Sequence, residues 1–131
     1  MSAFQVIIAG AIAALVLVSF VHSLAGEKRL LRPMFAKRGN RVLDNKLARL
    51  VLRFAWHVTS VLWILMAIVL YSVGFSPENL TAVILISFGV GFLFIGIFDL
   101  IASRGKHIGS PILTAIGSLC LGAFYLLEIA Q

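Results

Sequence analysis

The sequence predicts an all-α integral membrane protein, a bundle of four transmembrane helices with both termini outside the cytoplasm. Hydrophobic residues make up 61% of the 131 residues and charged residues only 12%, and the mean hydropathy is +1.08. A water-soluble domain carries about 25% charged residues. The composition therefore excludes an ordinary soluble domain and predicts a single transmembrane domain, residues 1–131, with no room for a separate catalytic domain.

Four apolar segments are each long enough to cross a bilayer, because a hydrocarbon core of about 30 Å requires roughly 20 helical residues. They cover about residues 3–25, 54–73, 80–101 and 111–130. The long segment between the first two, residues 26–53, is rich in basic residues and amphipathic. We expect this segment to form a loop on one face of the membrane.

Two of the helices have recognisable start signals. Ser76, Pro77 and Glu78 place a capping residue, a proline and an acid in the order that favours the beginning of the third helix. Ser110 and Pro111 repeat the cap and the proline before the fourth helix. Both serines are therefore predicted N-caps.

Small residues predict where the helices pack closely. Ser110, Thr114, Ser118 and Gly122 recur at every fourth position of the fourth helix, and the segment Gly89–Gly96 of the third helix contains three glycines. Small residues allow transmembrane helices to approach each other. Both features predict close helix contacts.

The second helix is predicted to begin within the basic loop. Apolar residues recur at helical spacing between Arg41 and Arg53, with basic residues on another face. Asn40 or Asp44 is the expected cap. The helix therefore extends into the membrane interface on the side of the loop.

The positive charge is confined to one side of the predicted membrane. Of the eleven Lys and Arg residues, nine lie in the 26–53 loop, and the other two, Arg104 and Lys106, lie between the third and fourth helices. The positive-inside rule places both loops in the cytoplasm and both termini outside it, which fits a bacterial inner membrane. Basic loops of this kind contact anionic lipid headgroups, and this explains the net charge of +6 better than nucleic-acid binding does.

Polar residues that a bilayer disfavours gather near the four cytoplasmic helix ends. They are His22, Ser23, Glu27, Arg53, His57, Ser60, Asp99, Ser103, His107 and Ser110. Spacings of three and four place Arg53, His57 and Ser60 on one face of the second helix, and Ser23 and Glu27 on one face of the first. We expect these faces to point inward and to converge on one site.

The residue types favour a metal or haem site. Neutral imidazole and carboxylate groups bind divalent metals, so His22, Glu27, His57, Asp99 and His107 are the predicted ligands. Two of the three histidines could alternatively ligate a haem b from opposite sides. The supporting residues are Ser23, Arg53, Ser60, Ser103 and Ser110. For Asp99, Arg104 or Arg53 is the expected charge partner.

Three other functions remain open at this point. Titratable groups inside a membrane also suit a small proton or ion transporter. The outer half of the predicted bundle is almost without polar residues, so a transporter or channel would have to act as a homo-oligomer or contain an open cavity that the pattern does not show. The chain could instead be a non-catalytic subunit of a larger membrane complex, with its polar residues joining helices. An enzyme is the third alternative, although the sequence identifies neither a nucleophile nor an acid–base pair.

Overall fold

A computed structural model describes residues 1–37 and 39–129 as an all-α protein. Its elements are α1 (Ala3–Gly26), a π-helical turn (Glu27–Leu31), α2 (Arg32–Ala36), α3 (Lys46–Phe75), a 3-10 turn (Pro77–Asn79), α4 (Leu80–Ser103) and α5 (Gly109–Ile129). Within these residues, four helical units are long and apolar enough to cross a membrane, as predicted, and they indicate a small multi-pass membrane protein. The predicted end of the fourth helix, Ala130, and the loop residue Arg38 lie outside the described residues.

The first helical unit continues beyond its predicted end at residue 25. A π turn joins α1 to α2, so helical structure runs from Ala3 to Ala36. Pro33 accounts for the turn, because a proline lacks an N–H and its ring clashes with the carbonyl group four residues earlier. The backbone N–H of Arg32 accordingly reaches back five residues to the carbonyl oxygen of Glu27. Much of the predicted 26–53 loop is therefore helical.

Helix α3 begins at Lys46, well before residue 54, and this confirms the predicted extension into the basic segment. Its cap is Asn45, whose side chain accepts the N–H groups of the second and third helical residues at 2.8 and 3.2 Å. The expected caps were Asn40 and Asp44. Asn40 instead accepts two N–H groups within the preceding turn. The Asp44 carboxylate accepts the N–H of Gly39 at 3.0 Å, and the cap of the helix is the residue that follows it.

The other two predicted caps are wrong in detail. Ser76 precedes a 3-10 turn, and its side chain makes no capping hydrogen bond. Ser110 lies inside α5, which begins at Gly109, and its hydroxyl donates to the carbonyl oxygen of His107 at 2.7 Å. The cap-and-proline pattern thus locates both helix starts to within a residue or two without determining what each serine bonds.

The four long helices pack in chain order. Helix α1 packs on α3 and α4 packs on α5 over extensive surfaces, whereas α3 and α4 share a smaller contact. Within the described residues, α1 and α5 make no comparable contact with each other. Two antiparallel helix pairs, α1–α3 and α4–α5, therefore stand side by side instead of closing around one shared core.

Glycines allow the close approach of α4 and α5. A Cβ atom at Gly96 would lie 2.6 Å from the backbone nitrogen of Thr114, and one at Gly117 would lie 2.6 Å from the backbone nitrogen of Leu93. Gly89 is packed against the side chain of Leu121, whose Cδ2 would lie 2.6 Å from such an atom. The packing role predicted for the glycines of the third helix is confirmed at Gly89 and Gly96.

The predicted small-residue strip of α5 contributes only its first half to this contact. Ser110 is fully buried, and Thr114 lies against Gly96 of α4. Ser118 and Gly122 are exposed, and nothing lies within 4 Å of a Cβ atom built at Gly122. The contact surface follows spacings of three and four residues because the α-helix has 3.6 residues per turn.

Replacing Gly117 with alanine tests this packing. The new methyl group would meet the backbone of α4, so we expect Gly117→Ala to lower the free energy of unfolding by about 1 to 3 kcal/mol. Unfolding in detergent, followed by circular dichroism, measures the change. Gly122→Ala, on the same helix but in open space, is the matched control and should be neutral or slightly stabilising. Equal effects of both substitutions would contradict the close packing.

Candidate functional site

Nine of the ten predicted site residues, all except His22, form two clusters together with Ser19 and Arg32. Both clusters lie at one end of the helix pairs, where α1 and α4 end and α3 and α5 begin. We call this the basic end. The α1–α3 cluster contains Ser19, Ser23, Glu27, Arg32, Arg53, His57 and Ser60. The α4–α5 cluster contains Asp99, Ser103, His107 and Ser110. Each cluster therefore belongs to one helix pair.

His57 is the centre of the α1–α3 cluster. Its Nδ1 lies 2.6 Å from Ser23 Oγ, and its Nε2 lies 3.4 Å from Glu27 Oε2. Because the Glu27 carboxylate can only accept, the proton of neutral His57 belongs on Nε2. Nδ1 then accepts the hydroxyl proton of Ser23. The imidazole is held at both nitrogens between a hydroxyl and a carboxylate.

Two arginines hold Glu27 in this position. Arg53 Nε lies 3.1 Å from Oε2, and Arg32 Nε lies 3.3 Å from Oε1, so each carboxylate oxygen has a cationic donor. The guanidinium group of Arg53 also lies 5.2 Å from the centre of the Phe35 ring, where a cation–π interaction is favourable. Arg53 shares Oε2 with His57, and the two arginines together compensate the charge of the carboxylate.

A groove between α1 and α3 leads to His57. It has a volume of about 340 Å³ and is lined by Ser19, Phe20, Ser23, Leu24, His57, Ser60, Val61 and Ile64. The hydroxyl of Ser19 is used, since it donates to the carbonyl oxygen of Ser60 at 2.6 Å. The hydroxyl of Ser60 is buried and has no hydrogen-bond partner in the described structure. A buried hydroxyl without a partner therefore lies beside the groove.

His22 takes no part in the contact between His57 and Glu27. Its ring stacks on Trp56, with the ring centres 4.1 Å apart, and meets the edge of Trp63 at 4.9 Å. The indole N–H of Trp56 donates to the carbonyl oxygen of His22 at 3.0 Å. Gly26 makes room for this indole, because a Cβ atom there would collide with it. The arrangement is an aromatic packing contact between α1 and α3.

In the α4–α5 cluster, Asp99 pairs with His107. Asp99 is 1% exposed, and its Oδ2 lies 2.5 Å from His107 Nδ1. Ser103 accepts the backbone N–H of His107 at 3.4 Å, and Ser110 bonds its carbonyl oxygen. The prediction of an arginine partner for Asp99 is wrong. The short turn between α4 and α5 folds His107 back onto the last turns of α4, and Arg104 is exposed in that turn.

The five predicted metal ligands do not meet. Phe54 of α3 and Phe98 of α4 lie between the two clusters, with ring centres 6.2 Å apart, and Phe54 also meets the edge of His107 at 6.4 Å. Nowhere in residues 1–37 and 39–129 do three or more His, Cys, Asp or Glu side chains form a group that could hold a metal ion. The expected single site is divided by this aromatic contact.

Comparisons with known proteins give no match. No family model, no curated protein and no solved structure is significantly similar to the chain. The chemistry of the two clusters is therefore the basis for a functional proposal. Of the two, the α1–α3 cluster combines a hydroxyl, an imidazole and a carboxylate with an adjoining groove, and the α4–α5 cluster fixes the turn between its helices.

Sequence reasoning missed the two most specific contacts, Ser23 with His57 and Asp99 with His107. A signal for the first was present, because Ser23 and His57 belong to polar faces of their helices at matching depths. For the second, eight residues separate the partners, and the intervening glycine and basic residues indicate a turn that could bring them together. In both cases the pairing depends on how the helices are rotated against each other.

The Asp99–His107 pair predicts a large effect on stability. His107→Ala leaves the buried Asp99 carboxylate without its partner, and we expect a loss of about 3 to 5 kcal/mol in the free energy of unfolding. Denaturant titration in detergent measures it. Adding Asp99→Asn to His107→Ala removes the buried charge and should recover part of the loss. A His107→Ala protein as stable as the wild type would contradict a structural role for the pair.

Proposed function

We propose that this protein lies in a bacterial inner membrane and carries an acid–base site at the cytoplasmic leaflet, in the α1–α3 cluster. The observation that supports the proposal is the position of His57, with Ser23 on one ring nitrogen and Glu27 on the other. The cytoplasmic assignment follows from the Lys and Arg residues at the basic end. Intramembrane ionisable groups are functional candidates because they are costly in lipid.

The three residues have complementary chemical roles. Ser23 supplies a hydroxyl that can attack a carbonyl carbon while its proton passes to Nδ1 of His57. Glu27 stabilises the imidazolium ion that forms and keeps its Nε2–H oriented. His57 then returns the proton to the departing alcohol as the carbon–oxygen bond breaks. A water molecule then attacks the acyl carbon while His57 takes its proton. The bond to Ser23 Oγ breaks, the carboxylic acid is released, and His57 returns the proton to Ser23. The proposed reaction is acyl transfer from an ester.

The groove indicates the class of substrate. Apolar side chains of Phe20, Leu24 and Val61 line it beside the serines, so it suits a molecule with a hydrocarbon chain and a polar ester. The free hydroxyl of Ser60 could donate to the negative oxygen that develops on the attacked carbonyl. An ester-linked membrane lipid has these features, and its ester groups lie near the boundary between hydrocarbon and headgroups.

A bound metal ion or haem is the second candidate. His57 and Glu27 lie 3.4 Å apart and offer two donors of the right kind. A metal ion there would have to replace the present contacts with Ser23 or Arg53 and take further ligands from a partner or solvent. A haem would need a second facing histidine. Transport and an accessory role in a membrane complex remain predictions, and both depend on an oligomer or a partner protein.

Covalent labelling of Ser23 tests the proposal. The purified protein in detergent is treated with a fluorophosphonate probe, and the labelled residue is identified by mass spectrometry. We expect labelling at Ser23, its loss in Ser23→Ala, and a rate about 10² to 10⁴ times lower in His57→Gln, which lacks the base. Ser118→Ala removes an exposed serine of α5 and should change nothing.

Two outcomes would contradict the reaction. The first is a wild-type protein that resists the probe. The second is labelling that persists in Ser23→Ala. The visible spectrum and metal content of the same preparation test the second candidate. A haem absorption band, or one equivalent of metal, that is lost in His57→Ala would support that candidate instead.

Reporter fusions test the orientation. Because the basic residues cluster at one end of the helices, we expect both termini on the outer side of the inner membrane. Alkaline phosphatase fused to the C-terminus should be active, and green fluorescent protein at the same position should be dark. The same two reporters placed in the turn at Gly105 are the control. There we expect an inactive phosphatase and a bright fluorescent protein. A bright C-terminal fluorescent fusion would overturn the orientation.

A further inference from the structure

We infer that a second site, a cleft between the start of α3 and the α4–α5 turn, binds the phosphate group of an anionic phospholipid. The cleft has a volume of about 410 Å³ and is lined by Lys46, Leu47, Leu50, Ala102, Ser103, Arg104 and Lys106. Three of these residues are cations from two different elements, and none is acidic. The site shares no residue with Ser23, His57 and Glu27, and it stands independently of the proposed acyl transfer.

The three cations have no ion-pair partner in the described parts of the chain. The nearby carboxylate of Asp99 is buried and bonded to His107, and Glu27 is engaged by the arginines of the other cluster. Like charges brought together in one cleft repel each other. An anion in the cleft would relieve this repulsion, and a phosphate group carries the required charge and acceptor oxygens.

The backbone fixes the positions of these cations. Arg104 adopts a left-handed conformation with φ of 53°, and Gly105 follows with φ of 72°. The N–H of Gly105 donates to the carbonyl oxygen of Leu100 at 2.9 Å, and that of Lys106 donates to Ser103 at 3.2 Å. These bonds satisfy carbonyl groups at the end of α4. The turn therefore fixes the backbone from which Arg104 and Lys106 extend into the cleft lining.

Helix α3 adds to the positive field from the other side. Lys46 is its first residue, and the positive end of a helix macrodipole favours an anion near the first turn. Ser103 lines the same cleft, although its hydroxyl already accepts the N–H of His107. The cationic side chains are therefore the main candidates for contact with phosphate.

The apolar part of the cleft distinguishes between sources of phosphate. Leu47, Leu50 and Ala102 line it together with the cations. Free phosphate would gain nothing from these side chains, whereas the acyl chains of a phospholipid would cover them. Basic pockets between transmembrane helices bind anionic headgroups on this principle. Free phosphate and a phospholipid both offer a phosphate group. Only the phospholipid also matches the apolar residues of the cleft.

Binding of an acyl-labelled phosphatidylglycerol to the purified protein in detergent tests the inference by fluorescence anisotropy. The triple variant Lys46→Gln, Arg104→Gln, Lys106→Gln should bind at least about tenfold more weakly than the wild type, because it lacks all three cations. The matched control Lys28→Gln, Arg29→Gln, Lys37→Gln loses the same charge from exposed positions and should keep most of the affinity. Labelled phosphatidylcholine, which has no net charge, should bind weakly to all three proteins.

Competition with inorganic phosphate identifies the source of the phosphate group. Displacement of the labelled lipid by millimolar phosphate would support a site for phosphate from either source. No displacement would support the lipid. Equal losses in both triple variants, or no loss in either, would overturn the inference. If the cleft variant unfolds, the single exposed substitution Lys106→Glu must still weaken lipid binding relative to Lys28→Glu, and an equal effect of these two would also overturn it.

Discussion

Polar groups inside a lipid-facing protein are stabilised by partners within the protein, because hydrocarbon offers no hydrogen bonds. This constraint organises the basic end of both helix pairs. Asp99, among the most buried side chains of the described structure, is paired with His107, and Glu27 is paired with two arginines and His57. Each pair of helices is joined by its own polar contacts, and the glycines of α4 and α5 bring their backbones close enough for such contacts to form.

The separation of the two pairs decides what each cluster can do. Phe54 of α3 and Phe98 of α4 contact each other where the two pairs meet. The α4–α5 cluster fixes the turn between its own helices, and the α1–α3 cluster adjoins a groove. The turn that His107 secures also carries Arg104 and Lys106, two cations of the cleft between the start of α3 and that turn. The proposed acid–base site and the proposed phospholipid site therefore lie at the same end of the molecule, where a lipid could contact both.

Helical periodicity predicted much of this arrangement. The four spans, the early start of α3 and the packing glycines Gly89 and Gly96 follow from local patterns of hydropathy and residue size. Spacing also identified the polar faces that hold Ser23 and His57. It did not identify the partner of Asp99, since opposite charge pointed to an arginine and the α4–α5 turn supplies a histidine. The cap at Asn45 and the hydrogen bond from Ser110 to His107 depend on local geometry that several nearby residues could provide.

The sequence by itself determined the number of membrane-spanning helices, the one-sided distribution of charge and the residues that share each helix face, because these properties depend on neighbours along the chain. Only the tertiary structure decided that the helices form two pairs and that the histidines are divided among three environments. Which polar side chains meet depends on how each helix is rotated and on which neighbour it packs against. The π turn before Pro33 and the aromatic contact between α3 and α4 set those relations, and neither is visible in the spacing of polar residues.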